Sequence, residues 1–293
     1  MPEGRIMKAL SGFYYVKSAD SVYQCRGRGL FRKKKLSPLV GDIVEFDIQE
    51  DNDGYITSIH ERKNELRRPA VANVDQAIIV VSAKEPSFST LLLDRFLVLV
   101  EANDIQPIIF ISKMDKVSTE ELQEITTYQE AYQAIGYQVE TLSVEKEIDL
   151  NKMAPYFSDK ISVIAGQSGV GKSSLLNKLN PALSIETNDI SLSLGRGKHT
   201  TRHVELVAIG EGLVADTPGF SSLEFDALAL EGLSACFPEM AARQQDCKFR
   251  GCMHVNEPKC AVKQAVEVNE IAPFRYEHYL QFYQEIQNRK PRY

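Results

Sequence analysis

Along the 293-residue chain the spacing of apolar positions changes twice. Residues 1–68 hold short stretches rich in Tyr, Val, Ile and Phe that alternate partially with polar positions: ALSGFYYVKS, SVYQCRGR, DIVEFDIQ and GYITSIH. Such alternation predicts half-buried strands. Gly41-Asp42 and Asn52-Asp53-Gly54 are turn signals between them. Several short strands in so little chain predict a small antiparallel barrel of OB type.

Residues 69–225 read differently. VDQAIIVVSA and QPIIFIS are nearly continuous apolar runs of strand length, the pattern of strands inside a parallel sheet. TLLLDRFLVLVEAND and STEELQEITTYQEAYQAIG predict helices, the second capped by Ser118 or Thr119 with Glu in its first turn. QVETLS, a short helix near residues 149–157, ISVIAG and the helix start SLLNKLN follow. This is a doubly wound α/β domain. Residues 226–293 form a third segment, Cys-rich at first and then helical. There Tyr276, Leu280, Tyr283 and Ile286 recur at helical spacing and predict a face packed on the rest of the protein. No internal repeat or low-complexity stretch interrupts the chain.

Composition sharpens this only in places. An apolar fraction of 43 % and a charged fraction of 25 % are ordinary for a soluble globular protein, and 293 residues exceed one compact core. No apolar run approaches the roughly 20 residues that span a bilayer, so no membrane partner is expected. MPEGRIMKALSGFYYV lacks the form of a secretory signal. Five cysteines, three of them within fourteen residues beside a His, suggest reduced thiols and a metal, hence a cytoplasmic protein. The net charge of −6 is uneven: residues 1–68 carry 13 basic and 10 acidic side chains, net +3, leaving −9 elsewhere. An acidic chain argues against blanket nucleic-acid binding but leaves room for a local basic face. RGRGLFRKKK, residues 26–35, offers one, with Phe31 available to stack on a base.

The chemistry lies in four short stretches. Gly166-Gln167-Ser168-Gly169-Val170-Gly171-Lys172-Ser173 matches the phosphate-loop pattern between a strand and a helix, with Ser174 next in the helix. Its glycines let backbone N–H groups close on phosphate oxygens. Lys172 would reach the β- and γ-phosphates and Ser173 would bind Mg²⁺. Asp216-Thr-Pro-Gly219 ends an apolar strand downstream; Asp216 would hold Mg²⁺ and the Gly219 N–H would contact the γ-phosphate. Between them GRGKHTTRH, residues 195–203, holds Gly195 and Gly197, which permit movement, and Thr200 or Thr201 as the group sensing the triphosphate state. Upstream, Ser112-Lys113-Met114-Asp115 resembles the guanine-reading N-K-x-D loop. Its Asp accepts from guanine N1–H and N2–H₂, a pair adenine does not offer. The Lys113 stem packs over the base, and Ser143 in TLS stands where a second base loop belongs. The order base, base, phosphate, switch, switch is that of a circularly permuted Ras-like G domain.

That order and its flanks resemble the RsgA family (YjeQ/YloQ) over essentially the whole chain. The resemblance implies an OB-fold RNA-binding domain at 1–68, a permuted GTPase domain at 69–225 and a zinc-binding C-terminal domain at 226–293. It implies a monomer that binds the small (30S) ribosomal subunit and its 16S rRNA late in maturation. GTP would be hydrolysed to GDP and phosphate slowly until the subunit stimulates turnover, with hydrolysis linked to release. Ser112 departs from the usual Asn and implies weaker loop anchoring. Phe220 follows D-x-x-G where Ras-like enzymes carry a water-orienting Gln, so His199, at a place where relatives carry a His, is the candidate for that water. Cys247-x4-Cys252-x-His254-x5-Cys260 closes a tetrahedron for one structural Zn²⁺ and matches the family's spacing. Cys25 and Cys236 remain as small buried apolar groups. The zinc module follows the second switch directly, so a shift at Gly219 would tilt it. A nucleotide-gated RNA-binding module and a P-loop kinase of a small molecule are the competing classes.

Overall fold

Gln76–Ser82, predicted as a strand inside a sheet, is buried at every position, and the molecule is arranged around it. The computed structural model describes residues 1–28, 31, 36–49, 53–67, 69–143, 153–183, 204–216 and 223–289. Strands β1 (Glu3–Leu10), β2 (Phe13–Ser18), β3 (Ser21–Gly27), β4 (Ile43–Ile48) and β5 (Asp53–Ile59) close a barrel in the order β1-β2-β3-β5-β4, with β4 returning to β1. This is the expected OB-type barrel, antiparallel except between β3 and β5. Ile6, Val16, Cys25, Val44, Phe46 and Ile56 fill it.

Two sequence expectations fail here. ALSGFYYVKS is not one strand. It holds the end of β1, a reversal at Ser11 (φ 51°) and Gly12 (φ 85°), and all of β2, with Leu10 paired to Phe13. Phe31 is not available for base stacking: it is 7 % exposed and belongs to the core. The charges around Phe31 in sequence concealed an apolar ring turned inward beside Gly27. Arg28, from the same basic run, pairs with Asp47.

A two-stranded ribbon, β6 (Glu65–Arg67) and β7 (Ala70–Ala72), straddles position 68. Beyond it lie β8 (Gln76–Ser82), helix α1 (Thr90–Glu101), β9 (Gln106–Ser112), α2 (Thr119–Ile135), β10 (Gln138–Thr141), β11 (Ile161–Ala165), α3 (Lys172–Leu179), β12 (Val204–Ile209) and β13 (Gly212–Asp216). The helix expected near 149–157 is a single 3₁₀ turn at Ala154–Tyr156, and 144–152 lie outside the described residues. The strands run β10-β9-β8-β11-β13-β12, parallel except for β12. Successive residues of β8 face opposite sides. Ile79 and Val81 pack in one cluster with Leu93, Phe96, Leu97 and Tyr132, whereas Ile78 and Val80 pack in another with Leu175 and Leu176. Each fully buried aliphatic side chain contributes about 1.5–3 kcal/mol, which is why these runs show no alternation. Ser118 caps α2 in a reciprocal capping box with Glu121. The barrel and this sheet are continuous, because β1 pairs with β12 through Lys8↔Glu205 and Ala9↔Val204.

The C-terminal segment packs α4 (Pro238–Ala241), α5 (Ala261–Glu267) and α6 (Pro273–Gln287) around Phe237, Met240 and Val262, with Val98 of α1 in the same cluster. The buried face of α6 is Arg275, Tyr279, Phe282 and Ile286, one position off the expected face except at Ile286. Tyr276, Leu280 and Tyr283 flank it, half-buried. The shift arises because Arg275 is fully buried, held by Asp94 of α1 at 2.5 Å and by Glu239 of α4 at 2.7 Å.

Candidate functional site

The carboxyl ends of β8, β9 and β11 meet at one edge of the sheet, where open α/β sheets place their ligands. β11 ends at Ala165, and the chain turns through Gly166 (φ 139°), Gly169 (φ 79°) and Gly171 (φ 97°) before α3 begins at Lys172. Gly166 has a second constraint: a Cβ there would stand 2.2 Å from the Val80 carbonyl oxygen. Gln167, Ser168 and Gly169 are exposed at the crest, while Val170 is buried in the core beneath. Lys172 lies across its own loop, its ammonium donating to the Gly166 carbonyl at 2.8 Å and the Gln167 carbonyl at 2.6 Å. Burial lowers its pKa from the ordinary lysine value. Ser173 and Ser174 stand in the first turn of α3, where unpaired backbone N–H groups and the helix dipole favour anions.

The base-loop residues join this structure directly. Ser112 ends β9 and is 1 % exposed. Its hydroxyl donates to the Val170 carbonyl of the phosphate loop at 2.6 Å, with the Val81 carbonyl at 3.1 Å. Lys113 follows in a left-handed conformation (φ 59°), and its ammonium donates to the Glu85 carbonyl. The Met114 N–H donates to the Leu142 carbonyl at 3.3 Å. Ser143 donates from its hydroxyl to the Asp115 carboxylate at 2.6 Å. Two loops separated in sequence thus form one cluster beside the phosphate loop. Sequence reasoning did not single out Glu85; its grip on Lys113 uses a backbone carbonyl, which no residue type advertises.

Asp216 closes β13, which runs parallel to β11. Its side chain, and Gly195, Gly197, His199, Thr200, Thr201, Gly219 and Phe220, lie outside the described residues.

Across the molecule, Cys247, Cys252, His254 and Cys260 bring their donor atoms within 4.8 Å of one another. His254 Nδ1 lies 3.3 Å from the Cys260 sulfur and 3.6 Å from that of Cys247, and those sulfurs are 3.9 Å apart. A tetrahedron with Zn–S of about 2.3 Å has edges of about 3.8 Å, so the four donors fit one zinc ion. Burial lifts the Cys252 thiol to about 12 and raises Cys260, while it lowers the His254 pKa. A divalent cation reverses this preference and holds the sulfurs as thiolates. The ligand loop is clasped from outside. Tyr279 donates to the Met253 carbonyl at 2.5 Å, Tyr276 donates to that of His254 at 2.7 Å, and Glu257 accepts from the Met253 and Val255 N–H groups. Tyr276 read as packing in the sequence; its hydroxyl has this second task.

Two family descriptions match the chain: RsgA N-terminal domain over residues 3–56 and RsgA GTPase over residues 59–226. The chain is 63 % identical over 293 residues to small ribosomal subunit biogenesis GTPase RsgA 2 of Oceanobacillus iheyensis, covering all of both chains. It is 58 % identical to small ribosomal subunit biogenesis GTPase RsgA of Bacillus subtilis, again with full coverage of both. Among solved structures, the crystal structure of YloQ, a circularly permuted GTPase, superposes with a TM-score of 0.86 at 54 % identity, covering 100 % of this chain and 97 % of that one. YjeQ from Thermotoga maritima gives the same TM-score at 37 % identity and 99 % coverage of each.

Proposed function

The chain belongs to the RsgA family of small ribosomal subunit biogenesis GTPases, and from that membership we propose how its own residues bind GTP, hydrolyse it and meet the subunit. One observation supports the site most directly: Ser112 of the base loop donates to the Val170 carbonyl of the phosphate loop, so base and phosphate readers share one rigid frame. Asp115 accepts from guanine N1–H and N2–H₂, with Ser143 holding its other side. The Lys113 stem covers the base. The amides of 166–171 and the start of α3 take the phosphates. Lys172 exchanges its two carbonyl partners for the β- and γ-phosphate oxygens, and charge attraction then favours its cationic form. Ser173 and Asp216 would hold Mg²⁺, which would neutralise charge on the transferring phosphoryl oxygens. His199 orients the attacking water when a partner engages its segment, with Thr200 or Thr201 sensing the γ-phosphate and Gly219 contacting it. Cys247, Cys252, His254 and Cys260 hold one structural zinc that fixes the C-terminal module. The protein acts as a cytoplasmic monomer on the 30S subunit and its 16S rRNA, with subunit-stimulated hydrolysis linked to its release.

The test is nucleotide hydrolysis by the purified protein with and without small ribosomal subunits. The expected outcome is stimulation by the subunit that GTP shows and ATP does not. An unchanged rate alongside tight GTP binding would leave the nucleotide site standing and overturn the subunit as activator. Equal use of ATP would overturn the base-loop reading and revive a small-molecule kinase.

A further inference from the structure

The four residues between the first two metal ligands, Lys248-Phe249-Arg250-Gly251, are exposed throughout. Phe249 keeps 42 % of its surface in solvent although apolar core lies close by. The Lys248 ammonium stands over its ring, 5.4 Å from the centroid. Neither Lys248 nor Arg250 has an acidic partner among the described residues. Metal ligands bound this loop on both sides, and Gly251 (φ 69°) turns it back toward Cys252. Residues 246–263 carry four Lys and Arg against Asp246 and Glu257, and Glu257 is engaged by backbone N–H groups. A local excess of positive charge on an otherwise acidic remainder of the chain selects an anionic partner.

We propose that Phe249, flanked by Lys248 and Arg250, is a stacking site for an unpaired base of single-stranded RNA, with the two cations on the neighbouring phosphates. This rests on the reading that the protein works on the small ribosomal subunit, and it assigns one contact of that encounter. The ring supplies a π-face that any base can use, the two cations match the phosphates on either side, and ligands at both ends of the loop limit how much backbone must be ordered on binding. Paired RNA keeps its bases stacked inside the helix and offers the ring none, so the site distinguishes unpaired from duplex RNA. An acidic protein segment would satisfy the cations but would leave the ring without a partner.

The chain contains no tryptophan, so F249W places a single tryptophan at the site, excited selectively at the red edge beyond tyrosine absorption. Zinc-loaded full-length F249W is titrated with a 12-nucleotide single-stranded RNA, its duplex and polyglutamate. The expected result is saturable quenching by the single strand, with little response to the other two. K248Q/R250Q should weaken binding and reduce the salt slope by about 1.4, near 0.7 per phosphate on a single strand. F249A should bind the single strand roughly tenfold more weakly, while F249Y retains binding; zinc content and thermal midpoint verify folding. Unchanged emission while anisotropy reports bound RNA overturns the proposal, because the RNA then sits elsewhere. An equal response to polyglutamate or to duplex overturns the stacking chemistry. If wild-type GTP hydrolysis is stimulated by small subunits while F249W stays silent, only this inference fails. Loss of the stimulation itself would be a failure of the functional reading instead.

Discussion

Ser112 shows what one residue does and how far its sequence reveals it. As a departure from Asn it implied weaker loop anchoring rather than lost guanine preference. The structure buries its hydroxyl against the Val170 carbonyl, joining two loops 58 positions apart. S112A leaves that carbonyl without its donor, a cost of about 1–3 kcal/mol for a buried group. We expect guanine nucleotide affinity to fall at least severalfold, with the GTP-to-ATP preference retained because Asp115 is untouched; fluorescent nucleotide titration measures both. The turns at Gly166, Gly169 and Gly171 were legible because backbone sterics demand that residue type at those positions. Phe31 was not, since whether an apolar ring among basic residues turns in or out is decided by the barrel that receives it.

At the scale of elements, strands buried on both faces and capped helices were readable, because burial and capping leave local marks. β1 was not recognised as a separate strand: Arg5 and Lys8 interrupt its apolar pattern, and Gly4 is placed by close approach, a Cβ there falling 2.6 Å from the Lys17 carbonyl. The face of α6 was misplaced for a related reason. Helical periodicity counts a cation as solvent-facing, yet Arg275 is wholly buried between Asp94 and Glu239, and His278 adds a second contact to Asp94 at 2.6 Å. Removing the Arg275 guanidinium leaves two buried carboxylates without the cation they share, and His278 and Tyr132 reach only Asp94. R275M should therefore cost about 3–5 kcal/mol, seen as a lower midpoint in denaturant. Asp94 lies on α1 and Glu239 on α4, so the loss loosens the packing of the C-terminal module on the GTPase domain. Cleavage by a protease within 226–293 should consequently precede cleavage of the barrel.

At the scale of the molecule, the permuted order acquires a physical use. β12 begins immediately after the 195–203 segment, and β13 ends at Asp216 just before Gly219. β1 of the barrel is hydrogen-bonded to that same β12, so a single sheet runs from the barrel to the strand leaving the switch. On the far side, Arg95 of α1 stacks on Phe225 at 4.8 Å and Phe282 at 4.9 Å, and Arg289 reaches the Phe225 and Leu228 carbonyls. Residues just beyond the second switch are thereby held against α6. β12, and the segment that starts at Leu223, are therefore each tied to a flanking domain, and in the proposed reading these are the neighbours of the two switch motifs. In the proposed reading, this sheet is a route from the barrel to the segment that precedes β12. Lys8 and Glu205 face each other across the β1–β12 junction at 2.8 Å, each about a quarter exposed. K8E sets two carboxylates in direct opposition, a loss of about 1 kcal/mol at that junction. If the junction carries the coupling, subunit-stimulated hydrolysis should fall several-fold while nucleotide affinity is retained, and the swapped pair K8E/E205K should restore most of the loss. Stimulation that survives K8E, with the junction shown to be open by faster amide exchange at Ala9 and Val204, would locate the coupling in the subunit's direct contact with the switch rather than in the sheet.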